Sequence, residues 1–133
     1  MTESLALLQA RLHIVSTELQ NIQRDLTNAI VLRRKLEVRR YENEAVQEDM
    51  EALPAGSVVY KQVGSGLVQQ SVEDIRKNVR TRMEFIMNEL NQAEIRAAEL
   101  RGRWERKKVQ VIDVRLEIAQ RTRYDVGLMT VVV

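Results

Sequence analysis

Residues 58–70 read VVYKQVGSGLVQQ. A β-rich run, a glycine-flanked turn and a second β-rich run predict a β-hairpin. On either side lie about fifty residues whose apolar spacing is helical throughout. A lone two-stranded hairpin is barely stable in water, and both of its edges are open to pairing. This one also carries apolar side chains on both faces, with Val58, Tyr60 and Leu67 on one and Val59, Val63 and Val68 on the other. The turn reads as Ser-Gly or as Gly-Ser-Gly, both of which permit a positive φ, so the register stays open at this point. Under either register the edges and the apolar faces need cover. Sheet from other subunits is the natural cover, which points to an assembly rather than an enzyme.

Composition agrees. The chain has 133 residues with only 5 Gly, 1 Pro and 4% aromatic residues, while 30% are charged. That profile belongs to long helices with few turns. A net charge of +2 is too small to imply nucleic acid by itself. The absence of cysteine removes disulfide and thiolate chemistry and fits a reducing compartment. The stretch MTESLALLQARL lacks the basic start and unbroken apolar core of a signal peptide. No window is apolar enough for a transmembrane span. The expectation is a mainly α, cytoplasmic chain with a single domain over 1–125 and a disordered tail over 126–133.

Outward from the hairpin, both helices carry a heptad stripe. Leu5, Leu8, Leu12, Val15, Leu19, Ile22, Leu26 and Ala29 fall at alternating steps of three and four, with Leu at every a position. Farther on, Arg33, Arg40 and Gln47 take the a sites, Leu36 and Met50 keep d, and Val46 with Leu53 fits a stripe shifted by one residue. The first helix therefore spans 3–53 and ends at Pro54-Ala55-Gly56. The hairpin occupies 57–70, and Ser71-Val72-Glu73-Asp74 starts a second helix over 72–124. Its stripe runs Met83, Ile86, Leu90, Ala93, Ala97, Leu100, Trp104, Val111, Val114 and Ile118, with Lys107 interrupting and Gly102 off the seam. So short a connection makes the helices antiparallel partners, each about 75 Å long. Facing residue numbers should then sum to roughly 125, which places Trp104 near Leu19 and Ile22. One seam sets little apolar burial against the ordering entropy of a long chain, so the chain alone is marginal and needs partners.

The residues also match a family. ENEAVQEDMEAL, then VVYKQVGSGLVQQSVEDIRKNVRTRMEFIMNEL, resembles a β-type prefoldin subunit of the subunit 6 kind. Glu42-Asn43-Glu44, Val59-Tyr60-Lys61 with Val63-Gly64, Leu67-Val68 and Arg82-Met83-Glu84-Phe85-Ile86 stand where that pattern has them. The match is dense over 42–110, weaker over 5–41 and absent beyond about 120. Ser65 replaces a proline that usually follows the hairpin glycine. The resemblance implies a heterohexamer of α-type and β-type subunits whose hairpins join into an intersubunit β-barrel platform. It further implies an ATP-independent co-chaperone, without nucleotide or metal, that passes unfolded clients such as actin and tubulin to the cytosolic chaperonin.

Three other readings compete. His13 stands beside the seam on the outer surface with no cysteine or second histidine to assist it, and Glu48, Asp49 and Glu51 sit on a solvated helix, so catalysis is disfavoured. The basic run 101–108, with Trp104 available for stacking, could serve nucleic acid. Trp104 continues the seam at helical spacing, however, and the charges fall on outer positions. Arg33-Arg34-Lys35 likewise reads as a solvated face, within reach of Glu89 or Glu94 on the other helix. The alternative to a co-chaperone is a coiled-coil scaffold subunit that uses the hairpin only for assembly. In the antiparallel pair, Leu5, Leu7, Leu8 and Leu12 lie near Val114, Leu116 and Ile118 at the open end. That is more apolar surface than one seam can hide, which marks the expected client-binding tip.

Overall fold

The computed structural model describes residues 3–132, with side chains through 123. The order of elements is α1 (Leu5–Glu51), β1 (Val59–Val63), β2 (Gly66–Gln70) and α2 (Val72–Val132). Ser4 starts α1. Its hydroxyl oxygen accepts the Leu7 N–H at 3.2 Å and its carbonyl accepts the Leu8 N–H at 3.0 Å. The hydroxyl thus satisfies an amide donor that a helix start leaves orphaned, and the carbonyl accepts the first bond of the helical ladder. After α1 the chain turns over Pro54–Ser57. The Ser57 N–H donates to the Pro54 carbonyl at 3.2 Å, and Gly56 takes φ +85°. That is a type II turn, whose third position favours glycine.

α2 begins as expected, with the Ile75 N–H donating to the Ser71 carbonyl and with Glu73 and Asp74 in the positive first turn. It continues through Gly127 to Val132, beyond the expected end near Tyr124. A glycine weakens a helix interior by about 1 kcal/mol but keeps its N–H, so it does not break the ladder as proline would. The side chains of the 126–133 segment, and with them any role for it, lie outside the described residues.

Contacts divide the chain into two compact units, Met1–Ala29 with Arg96–Val133, and Ile30–Ile95. In the first, segments of α1 and α2 run antiparallel and bury Leu8, Ile22, Leu26 and Ala29 together with Ala97, Leu100, Val111 and Val114. Two ion pairs across the helices mark the register. Lys107 Nζ lies 2.5 Å from Glu18, and Arg11 lies 3.6 Å from Glu117 while also pairing with Glu3 on its own side. The first matches the expected antiparallel pairing and the second is displaced by less than one helical turn. Lys107, which interrupts the apolar stripe, therefore has a carboxylate partner at the seam. Trp104 is only half-buried, with the Lys108 ammonium 4.9 Å from its ring centroid.

In the second unit Leu36, Leu90 and Ala93 form the core cluster, extended by Val79 and Ile86. Arg33, Arg40 and Gln47 are half-buried, as their a positions require. Arg33 pairs with Glu37 at 3.9 Å and Arg40 with Glu44 at 3.5 Å, each one turn along the same helix. This corrects the expected pairing of the Arg33 region with Glu89 or Glu94. An a position points into the seam, and the i,i+4 carboxylate is the partner an arginine there can reach. The register shift expected at Val46 does not occur either. Val46 is 40% exposed, while Gln47 and Met50 stay turned inward. At the root of the hairpin the Arg76 guanidinium donates to the Met50 carbonyl, from Nη2 at 2.9 Å and from Nε at 3.3 Å. It thereby satisfies one of the carbonyls that the end of α1 leaves free.

Two outcomes follow from these contacts. Arg76→Met keeps the apolar stem but removes both donors, and should destabilise the protein by about 1–2 kcal/mol, at the lower end for bonds to a charged group because the site is part-exposed. A melting temperature equal to the parent's would show that water serves the Met50 carbonyl as well. Trp104→Ala should cost about 1.5–2.5 kcal/mol, below the ~3–5 of a fully buried tryptophan. Chemical denaturation distinguishes these values.

Candidate functional site

The two regions expected to carry function are each assembled within one unit. The hairpin belongs to the second. β1 and β2 pair antiparallel in the register Val59↔Gln70, Tyr60↔Gln69, Lys61↔Val68, Gln62↔Leu67 and Val63↔Gly66. The connecting turn is therefore Gly64-Ser65, neither Ser-Gly nor Gly-Ser-Gly, and Gly66 is the first residue of β2. Gly64 has φ +61° and no non-glycine among the described residues, Ser65 included, has a positive φ, which makes this a type II′ turn. Glycine is needed at its first central position, whereas Ser65 fits the second with an ordinary φ. The proline that usually follows the glycine is thus replaced without strain.

Directly opposed residues share a face, so the register settles which side chains stand together. Val59, Lys61, Val63 and Val68 line one face, and Tyr60, Gln62, Leu67 and Gln69 the other, in agreement with the expected division; Val58 extends the second by parity. Neither face is covered. Tyr60 is 55% exposed and Leu67 is 70% exposed. The main chain is equally open. A two-residue loop makes Val63–Gly66 a hydrogen-bonded pair, and alternation then turns the N–H and C=O groups of Tyr60, Gln62, Leu67 and Gln69 outward along both edges. Among the described residues the sheet has only these two strands. What the hairpin can do chemically is add strands at either edge and bury apolar surface on either face.

The second region lies in the first unit, where α1 begins beside residues 114–118 of α2, which itself runs on to Val132. The structure divides the expected tip residues into three groups. Leu8 and Val114 are buried in the seam; Leu5, Leu12 and Ile118 are half-buried; Leu7 and Leu116 point outward at 60% and 55% exposure. Burial follows heptad position. Leu8 holds a d site and Val114 lies on the α2 stripe, whereas Leu7 and Leu116 stand on outer positions. Ile14, one heptad after Leu7, is also exposed and continues its line. Sequence reasoning passed over Ile14, although an apolar residue seven after Leu7 and off the seam is a readable signal. It likewise read Phe85 only as part of a family motif. Phe85 stands exposed beside Arg39, Asn43, Thr81 and Arg82 in an open apolar hollow of the second unit.

Among the described residues no group of three or more His, Cys, Asp or Glu side chains is placed to hold a metal ion. No helix among them is long and apolar enough to cross a membrane. The basic run 101–108 does not act as one surface. Lys107 is paired with Glu18, Lys108 lies over Trp104, and Arg103 and Arg106 line an open groove with Glu18 and Asp25.

The geometry has close counterparts. The chain is 29% identical over 111 residues to prefoldin subunit 6 of Mus musculus, covering 84% of this chain and 87% of the mouse protein. It is 37% identical over 75 residues to prefoldin subunit 6 of Saccharomyces cerevisiae, covering 56% of this chain and 66% of the yeast protein. The crystal structure of the prefoldin beta subunit from Thermococcus strain KS-1 superposes with a TM-score of 0.71 at 21% identity, covering 76% of this chain and 89% of that one. The sequence profile of the family described as Prefoldin subunit matches residues 14–114, a span that takes in the greater part of both helices and the whole hairpin. The chain belongs to the prefoldin subunit family.

Proposed function

We propose that this chain is a β-type subunit of a hexameric, ATP-independent cytoplasmic co-chaperone. In this reading it assembles through its hairpin with other α-type and β-type prefoldin subunits. The assembly captures unfolded polypeptides such as actin and tubulin and passes them to the cytosolic chaperonin. The observation that carries the proposal is the hairpin, two strands with both edges and both apolar faces uncovered. A free ribbon of this kind is an aggregation hazard unless partner strands complete it. The residues that would form the intersubunit sheet are Val58, Val59, Tyr60, Val63, Leu67 and Val68.

Client capture is assigned to the tip in the first unit. Leu7 and Leu116 supply the outward surface there, Leu5, Leu12 and Ile118 its half-buried margin, and Leu8 and Val114 the seam that holds them in place. Contact by apolar burial alone is indiscriminate and readily reversed, which suits clients that share exposed hydrophobic segments but no sequence. Several subunits acting together would raise weak contacts to useful avidity. No step calls for a nucleotide or a metal.

Two experiments test these assignments. Tyr60→Asp with Val63→Asp should leave the chain helical yet exclude it from complexes co-expressed with α-type and β-type partners, because unpaired charges in a shared sheet are too costly. Native mass measurement reads this out, and a stoichiometric complex with the double variant would remove the hairpin as hub. Leu7→Ser with Leu116→Ser should leave the complex intact, since exposed side chains contribute within about 0.5 kcal/mol to stability. Suppression of aggregation of a denatured client should fall sharply, and deletion of 1–9 with 116–133 should abolish it. Full protection by the truncated complex would transfer client binding to another surface.

A further inference from the structure

α2 carries a second heptad stripe that the antiparallel seam does not use. Within the first unit, Ala98, Gly102, Val109, Ile112, Leu116 and Ala119 fall at steps of three and four once Glu105 is counted between Gly102 and Val109. These are the b and f positions of the α1–α2 heptad, the outermost surface of a helix pair, where polar residues are the rule. Here the large members are apolar and uncovered: Val109 is 54%, Ile112 43% and Leu116 55% exposed.

Gly102 adds an independent observation. A Cβ built there would meet only the tip of the Arg106 side chain, at 3.4 Å, so the chain's own packing has room for alanine. Glycine nevertheless holds the position at a helix cost of about 1 kcal/mol. A glycine on an apolar stripe, unneeded by its own fold, is what close approach of another backbone requires.

The flanks of the stripe say what would approach. Along one side stand Arg101, Lys108 and Arg115, seven residues apart. None of them belongs to an ion pair among the described residues, and Lys108 instead lies over Trp104. The other side is mixed, with Glu99, Arg106 and Asp113. A second copy of this chain is a poor occupant. In antiparallel pairing the basic flanks oppose each other, and in parallel pairing the repulsion of Arg101 with Arg106 offsets the attraction of Lys108 to Asp113 while Glu105 meets Glu105 inside the stripe. We infer that this face of α2 docks an amphipathic helix of a different protein, apolar along its a and d positions and acidic on the flank that meets Arg101, Lys108 and Arg115. Glu105, the one charged position within the stripe, sets the register of that helix. The inference does not rest on client capture at the tip and shares only Leu116 with it.

The test uses the full chain and two labelled designed peptides, both with Leu at a and d, one with Glu and the other with Lys at e and g. Fluorescence anisotropy should show the Glu peptide binding about tenfold more tightly than the Lys peptide, as expected when the basic side chains of the two flanks exceed the acidic ones by two. Added salt should narrow that gap. Val109→Glu with Ile112→Glu should weaken binding of the Glu peptide by about tenfold or more while circular dichroism stays unchanged, since both side chains are exposed. Arg101→Glu with Arg115→Glu should invert the preference towards the Lys peptide, a gain that an unfolded chain would not give. Equal binding of the two peptides would overturn the inference, as would retention of binding by the Val109 and Ile112 pair. So would self-association of the chain that this same pair abolishes, because a second copy would then be the occupant.

Discussion

Each unit of this protein depends on its antiparallel seam. Long helices rich in charge do not hold themselves together in water. Their stability comes from burying one narrow apolar stripe against a neighbour. In the first unit that stripe narrows to Ala29 and Ala97 and widens to Leu26 and Leu100, all buried. Alternating small and large side chains let the helices interlock at a spacing a bulky residue would block. Because the seam takes only a and d, each helix keeps three outward positions per heptad that packing does not constrain. Function can occupy those positions without disturbing the fold.

The hairpin stands in the opposite relation to stability. Its inner ladder is complete and its turn is unstrained, yet it buries almost nothing. A ribbon in that condition must be fixed at its root if it is to be presented in one orientation. The Arg76–Met50 contact does this with a single guanidinium, linking the first turns of α2 to the last turn of α1 across the hairpin. Arginine suits the task because its planar fork places more than one donor on one acceptor. The type II turn at Pro54–Ser57 closes the same root from the other side, with the Ser57 hydroxyl donating to the Pro54 carbonyl at 2.7 Å.

Much of this was legible in the sequence, and what was not failed for definable reasons. The a/d stripe identified the buried residues because heptad position decides burial almost alone in a helix pair, and Leu8, Ile22, Leu26, Leu36, Ile86, Leu90 and Leu100 are all where it places them. The division of hairpin side chains between faces was legible from parity. The turn was not, since Gly64-Ser65-Gly66 offers more than one site for a positive φ and only the paired register selects Gly64. The end of α2 was misjudged because Gly127 was read as a stop, although glycine only weakens a helix. At the tip, counting apolar residues found the right segments but did not separate Leu8 from Leu7 or Val114 from Leu116. That separation needs the heptad phase applied residue by residue.

The polar residues placed in the seam complete the account. Arg33 and Arg40 hold a positions in the second unit, and the Nε of each is cut off from solvent without a hydrogen bond, with only the one-turn carboxylates of Glu37 and Glu44 close by. Such positions cost stability that leucine would supply, and because each partner carboxylate stands on the same helix they select no register by themselves. Lys107 differs, because its partner Glu18 stands on the facing helix of the first unit and is met in one register only. A seam that is apolar throughout would be stronger and could slide by a heptad. In the first unit a slide of one heptad would leave Lys107 or Arg11 without its acidic partner, and in the second unit such a slide would separate Arg76 from the Met50 carbonyl. The chain thus gives up some burial to keep one register, and that register brings the two ends of the hairpin together at its root.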